Sequence, residues 1–133
     1  MKWSVQQLHK LTVKEYHFSS EYDFTEYITN IDDIYDISIA KVTGSVVRDF
    51  EDNFVFNLNI KATLVLQDAR TLEPVNFPLD LDVVEIFGED DSLNDDIRLI
   101  QGNTIDLKDV VWENILLEKP IRVVKEELIS NSN

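Results

Sequence analysis

From Phe54 to Leu66 every second residue is apolar. Phe54, Phe56, Leu58, Ile60, Ala62, Leu64 and Leu66 alternate with Val55, Asn57, Asn59, Lys61, Thr63 and Val65. A period of two sends successive side chains to opposite faces, so this stretch predicts a strand with one face buried. At ~3.3 Å per residue its thirteen positions would reach about 43 Å, more than twice an ordinary strand. A strand of that length is expected to twist and bend strongly around the core, with a bulge to relieve it. Val75, Phe77, Leu79, Leu81 and Val83 repeat the alternation against Asn76, Pro78, Asp80 and Asp82, and then Val84 and Ile86 fall on the other parity. The shift predicts a bulge near Val83-Val84. Pro78 has no amide hydrogen, so its nitrogen is expected at an edge, a strand start or a bulge. Upstream, Val42, Gly44, Val46 and Phe50 share one parity while Lys41, Thr43, Ser45 and Asp49 share the other. That predicts a third strand, joined to the long one by the turn Phe50-Glu51-Asp52-Asn53.

The flanks read differently. Val5, Leu8 and Leu11 recur at helical spacing behind Ser4 and Gln7, which fit a capping box, so a short helix is predicted over 5–11. Alone it would be marginal in water, so it is expected to dock on the sheet together with Trp3. Residues 13–24 are aromatic-rich, with Val13, Tyr16, Phe18, Tyr22 and Phe24, and suit a strand. From Thr25 to Tyr35 the spacing of Tyr27, Ile28, Ile31, Ile34 and Tyr35 predicts one or two helical turns capped by Thr25. Gly88 to Asp96 is an acidic loop, and Ile97 to Ile100 a short strand ending at Gly102-Asn103. Asp106 then caps a helix of about three turns carrying Leu107, Val110, Val111, Asn114, Ile115 and Leu117, stopped by Pro120. Ile121 to Val124 suit a last strand, and 128–133 a frayed tail. The fold class is α+β, a mainly antiparallel, strongly bent sheet or partial barrel with one short helix near each end, forming a single domain over 1–133.

Composition narrows the function. With 133 residues, 44% hydrophobic and 29% charged, the chain can bury one core but not two. It has no cysteine, which excludes disulfides and thiolate metal sites and fits a cytoplasmic protein. Apolar runs such as Leu64-Val65-Leu66 are three residues long, far short of a membrane span. The net charge of −14 is uneven. Residues 1–14 carry Lys2, Lys10 and Lys14 and no acid, so the remainder holds −17. Such a field repels phosphate backbones and attracts cationic surfaces, which favours a basic protein partner.

Signatures of chemistry are missing from the sequence. His9 and His17 have neither metal-ligand spacing nor a cysteine partner. Asp90, Ser92 and Asn94 occupy the first, third and fifth places of a calcium loop, but Asp95 stands where glycine is needed and Gln101 where glutamate is. Gly44, Gly88 and Gly102 are too far apart for a phosphate loop, and no Gly-x-Ser-x-Gly occurs. The expectation is therefore a protein that is not an enzyme and holds no cofactor or metal. Arg70, in the loop 67–74, presents paired donors for a carboxylate or phosphate, with an internal salt bridge to Asp68 or Glu73 as the plainer alternative.

Met1-Lys2-Trp3-Ser4, the run Arg70-Thr71-Leu72-Glu73-Pro74-Val75, and Asp106-Leu107 leading through Val111, Glu113 and Ile115-Leu116-Leu117 to Pro120 together resemble the YceD/YlbN family. Its members are also called large ribosomal RNA subunit accumulation proteins. The resemblance implies a bacterial or plastid protein needed for accumulation of large-subunit ribosomal RNA, often encoded beside a large-subunit ribosomal protein. Many members carry Cys-x-Arg-Cys in this loop, whereas Asp68 and Thr71 stand at the cysteine places here, so roles needing thiols or zinc do not carry over. Three functions are weighed: association with a basic ribosomal or assembly protein, direct rRNA binding through the basic segment and Arg70, and an enzyme of unknown type. The first ranks highest, and DNA, membranes and small-molecule substrates are not implied. Candidate partner-binding residues are Lys2, Trp3, Lys10, Lys14, Arg70, Glu73 and Glu113.

Overall fold

A computed structural model describes residues 1–90 and 96–120. The alternation beginning at Phe54 becomes β5 (Phe54–Gln67). None of its inner residues Phe54, Phe56, Leu58, Ile60, Ala62, Leu64 and Leu66 is more than 6% exposed. Burying each of the larger ones contributes roughly 1.5–3 kcal/mol, so the inner row of this one strand is the main support of the core. The following strand, β6 (Pro74–Gly88), pairs antiparallel with β5 from Phe54↔Phe87 to Gln67↔Pro74 without a break in register.

The bulge expected at Val83-Val84 is therefore absent. The inward parity continues through Val83, Glu85 and Phe87, while Val84 lies exposed on the outer face. What looked like a shift is a glutamate on an inner position. The irregularity that lets the sheet bend lies on the other side of β5. There β3 (Ile34–Ile37) and β4 (Ala40–Arg48) follow one another along the same edge. Register slips between Ile34 and Asp36. It slips again between Ile37↔Leu64 and Lys41↔Lys61, where the three residues Ser38, Ile39 and Ala40 oppose the two residues Ala62 and Thr63. Extra residues on one strand bend it and increase its twist.

Ser38 fills the gap, donating its N–H to the Thr63 carbonyl (2.9 Å) and accepting the Thr63 N–H on its hydroxyl (2.8 Å). Since both main-chain groups of Thr63 face Ser38, Pro78, opposite Thr63 on β6, has its nitrogen turned to the far side of that strand. The only described strand on that side joins beyond it, so Pro78 sits at an edge-type position as expected.

The next strand out, β2 (Tyr16–Tyr22), flanks β4. Where Phe18, Gly44 and Leu58 align across three strands, a Cβ on Gly44 would lie 2.8 Å from the Asn57 carbonyl and 2.9 Å from the Phe18 ring. Only glycine fits that approach. At the opposite edge β7 (Ile97–Leu99) runs parallel to the end of β6, making the strongly curled half-barrel mixed, though mostly antiparallel. A separate two-stranded ladder joins β1 (Lys2–Ser4) to β8 (Thr104–Asp106), with Trp3 opposite Ile105.

The helices close the inner face. In α1 (Val5–Leu11) the capping box forms as predicted, Ser4 Oγ accepting from the Gln7 N–H (3.0 Å) and Gln7 Oε1 from the Ser4 N–H (2.8 Å). In α2 (Lys108–Glu118) the cap position belongs to buried Leu107, one residue later than expected, although Asp106 still accepts the Lys108 N–H (3.0 Å). Leu107, Val111 and Ile115 form its buried stripe, and Leu117 projects outward, contrary to expectation. Between Thr25 and Tyr35 only Thr25–Ile28 is helical, as a single 3-10 turn. Ile34 and Tyr35 instead begin β3, because pairing with Leu66 and its neighbours satisfies their backbone better than another turn would. The strand expected over 121–124 and the frayed tail over 128–133 lie outside the described residues, as does most of the predicted acidic loop.

Candidate functional site

Trp3 is buried, its ring 5.0 Å from Phe18 and 5.7 Å from Phe56, so it belongs to the core and has no free face to offer a partner or a base. The cations proposed beside it do not converge with Arg70. Lys10 and Lys14 lie at and just beyond the end of α1. That end is fixed near the start of β5, where the His9 ring stands 5.3 Å from Phe54 and meets the Arg48 guanidinium from β4. Arg70 follows the other end of β5. A strand of fourteen residues separates the two by a distance on the order of 40 Å along its path. Lys2 is exposed on β1, opposite Asp106.

The Arg70 loop is firmly built. Buried Asp68 accepts the N–H groups of Arg70 (2.7 Å) and Thr71 (3.0 Å) on Oδ1 and takes the Leu72 N–H (3.0 Å) on its carbonyl. Its own N–H goes to the Glu73 carbonyl (2.8 Å). Leu72 adopts φ 63°, and its carbonyl accepts from the Tyr35 hydroxyl (2.5 Å), which in turn accepts from Gln67 (3.1 Å). At a place where the family resemblance puts a cysteine, a carboxylate organises the turn. Arg70 and Glu73 are both exposed at its surface.

Glu113 has a different role. On α2 it receives Arg98 of β7 through two contacts, 3.2 and 3.1 Å, while the same guanidinium donates to Glu85 at 2.6 Å. Asn114 adds a bond to Glu85 at 3.0 Å and another to the Val110 carbonyl at 2.9 Å. These charge-assisted bonds hold the Arg98 guanidinium, already strongly basic, even more firmly in its charged form. The cluster ties helix to sheet. Sequence reasoning missed it, and the available signal was a glutamate interrupting the inner apolar row of β6. Lys119 similarly pairs with Asp33 at 2.5 Å.

One cleft is cut deeper than the shallow grooves on the outer face. It has a volume of about 680 Å³ and lies between the β4–β5 turn and the ends of β6 and β7. Phe54, Ile86 and Ile97 supply apolar wall, and Asp49, Asp52 and Glu89 supply negative charge. Phe50, counted on the inner parity in the sequence, stands outside the strand at the tip of the turn, 97% exposed. Among the described residues no group of three His, Cys, Asp or Glu side chains is placed to hold a metal ion, and no helix is long and apolar enough to cross a membrane.

Comparison with known proteins agrees with the sequence pattern. Residues 56–132 match the family described as Large ribosomal RNA subunit accumulation protein YceD. The chain is 32% identical over 130 residues to "Uncharacterized protein YlbN" of Bacillus subtilis (strain 168), covering 95% of this chain and 74% of that protein. No solved structure matches the chain significantly.

Proposed function

We propose, from the premise that this chain belongs to the YceD family of large ribosomal RNA subunit accumulation proteins, that it is a non-enzymatic assembly factor acting by association with a basic ribosomal or assembly protein. The observation that carries this reading is the distribution of charge. The chain bears −14, and of the cations named as candidates Lys10 and Lys14 lie at the opposite end of β5 from Arg70, while Arg98 and Lys119 are engaged by Glu85, Glu113 and Asp33. A nucleic-acid binder of ordinary affinity gathers on the order of 6–10 phosphate contacts, more than the candidate cations Lys2, Lys10, Lys14 and Arg70 supply. An acidic surface instead steers basic partners and speeds their encounter.

Depletion in the cell tests the role. Sucrose-gradient profiles should show large-subunit precursors accumulating and mature large subunits falling, and an unchanged profile would remove the assembly role. Crosslinking before purification should recover a basic ribosomal or assembly protein. Recovery of rRNA alone, resistant to removal of proteins, would favour direct RNA binding.

A further inference from the structure

The turn between β4 and β5 holds an aromatic ring away from the body of the protein. Isolated exposed apolar residues are ordinary on protein surfaces, but Phe50 is almost fully exposed and its support is rigid. Asp49 Oδ1 accepts the N–H groups of Glu51 (2.8 Å) and Asn53 (3.0 Å). The main chain closes through Asp49 N–H to the Asn53 carbonyl (2.9 Å) and Asp52 N–H to the Asp49 carbonyl (3.1 Å). Asp52 takes φ 64°, and Asn53 is buried with its amide directly against Gly88, where no Cβ would fit. The turn is pinned from inside, with Phe50 at its exposed tip. Its main chain is already in place, so binding through it orders the Phe50 side chain but no backbone.

The cleft beside it adds chemistry. Its apolar wall suits the hydrocarbon stem of a long basic side chain, and the carboxylates at its rim suit the charged end. Building on the assembly-factor reading above, we propose that the Phe50 turn and this cleft form the docking surface for a lysine- or arginine-rich segment of a protein partner. The partner's apolar stems cover the Phe50 ring, and its cations reach Asp49, Asp52 and Glu89. Charge complementarity selects this occupant, since the phosphates of an RNA would meet those same carboxylates. The guanidinium or ammonium of such a segment also gains from lying over an aromatic face.

The test uses the full chain and, as probe, the basic proteins released by high salt from purified large ribosomal subunits. Binding is measured for wild type, Phe50→Ser, Phe50→Trp and, as control, Val84→Ser on the outer face. Removing a central aromatic anchor should weaken binding about tenfold or more, Phe50→Trp should restore it, and Val84→Ser should leave it unchanged. An unchanged urea midpoint for Phe50→Ser would show that folding is not the cause. If Phe50→Ser binds as wild type does, the docking surface is wrong while the assembly reading stands. If wild type binds none of the probe proteins, the assembly reading falls and the docking surface with it. Phe50-dependent capture of rRNA fragments, or a Phe50-dependent dimer in sedimentation equilibrium, would overturn the proposal in favour of a nucleic acid or a second copy.

Discussion

Replacing Arg98 by methionine separates the two halves of the cluster that joins α2 to the sheet. Glu85 has a side chain only 13% exposed, against 31% for Arg98 and 54% for Glu113. Removing one partner of a fully buried ion pair costs about 3–5 kcal/mol, because the remaining charge is left without compensation. Here Arg98 is nearly one-third open to water and Asn114 stays bonded to Glu85, so the cost should fall to about 2–3 kcal/mol. The Glu113 arm is an exposed pair of the kind that contributes roughly 0–1 kcal/mol. Glu113→Gln should therefore be nearly silent where Arg98→Met is not. The double variant Arg98→Met/Glu85→Met removes both charges and fills the space with apolar atoms, so it should recover to within about 1 kcal/mol of wild type. Urea unfolding followed by the fluorescence of Trp3 and Trp112, with m-values compared to confirm two-state behaviour, gives all four free energies. Equal losses for Arg98→Met and Glu113→Gln, or a double variant less stable than Arg98→Met, would refute the assignment of Glu85 as the buried partner.

Gly44→Val should lower the urea midpoint sharply, since the added atoms meet the Asn57 backbone and the Phe18 ring, neither of which can withdraw. Phe56→Ala should cost roughly 3–5 kcal/mol by the same assay, as its ring packs between Trp3 and Phe87 in a fully buried position. Alkaline stability should report on Tyr22, whose hydroxyl accepts from the Met1 ammonium at 2.7 Å and whose pKa is pushed up by burial. A raised folded-state value stabilises the protein fully below the unfolded pKa of about 10 and less as pH rises through the raised value. Circular dichroism at increasing pH should therefore show Tyr22→Phe losing less stability than wild type above about pH 10.

The sheet was legible wherever one face had to be dry over many residues. Thirteen alternating positions from Phe54 leave no reasonable alternative to a strand, and Ser4 with Gln7 marks the first helix by local bonding alone. Reading failed where the deciding contact lies far along the chain. Ile34 and Tyr35 carry helix-like spacing, yet pairing with Leu66 places them in a strand. Three-residue strands such as Lys2–Ser4 and Thr104–Asp106 are too short to show any period. Glu85 looked like a change of face because its partners, Arg98 and Asn114, come from later elements. Candidate binding residues fared similarly. Trp3 was expected to dock on the sheet with the first helix and was also named as a candidate for binding a partner, and its packing against Phe18 and Phe56 bears out the docking, whereas Phe50 shared a parity with Val46 without sharing its environment.

The ladder between Lys2–Ser4 and Thr104–Asp106 has a consequence for biogenesis. Ile105 emerges from the ribosome roughly a hundred residues after Trp3, so that length of chain must be looped before they meet, a closure with a substantial entropic penalty. Until then the hollow of the sheet stays partly unfilled and its aromatic lining stays wet. The growing chain should therefore reach its native state only once Ile105 has left the exit tunnel, long after the strands from Ala40 to Gly88 have become free to collapse.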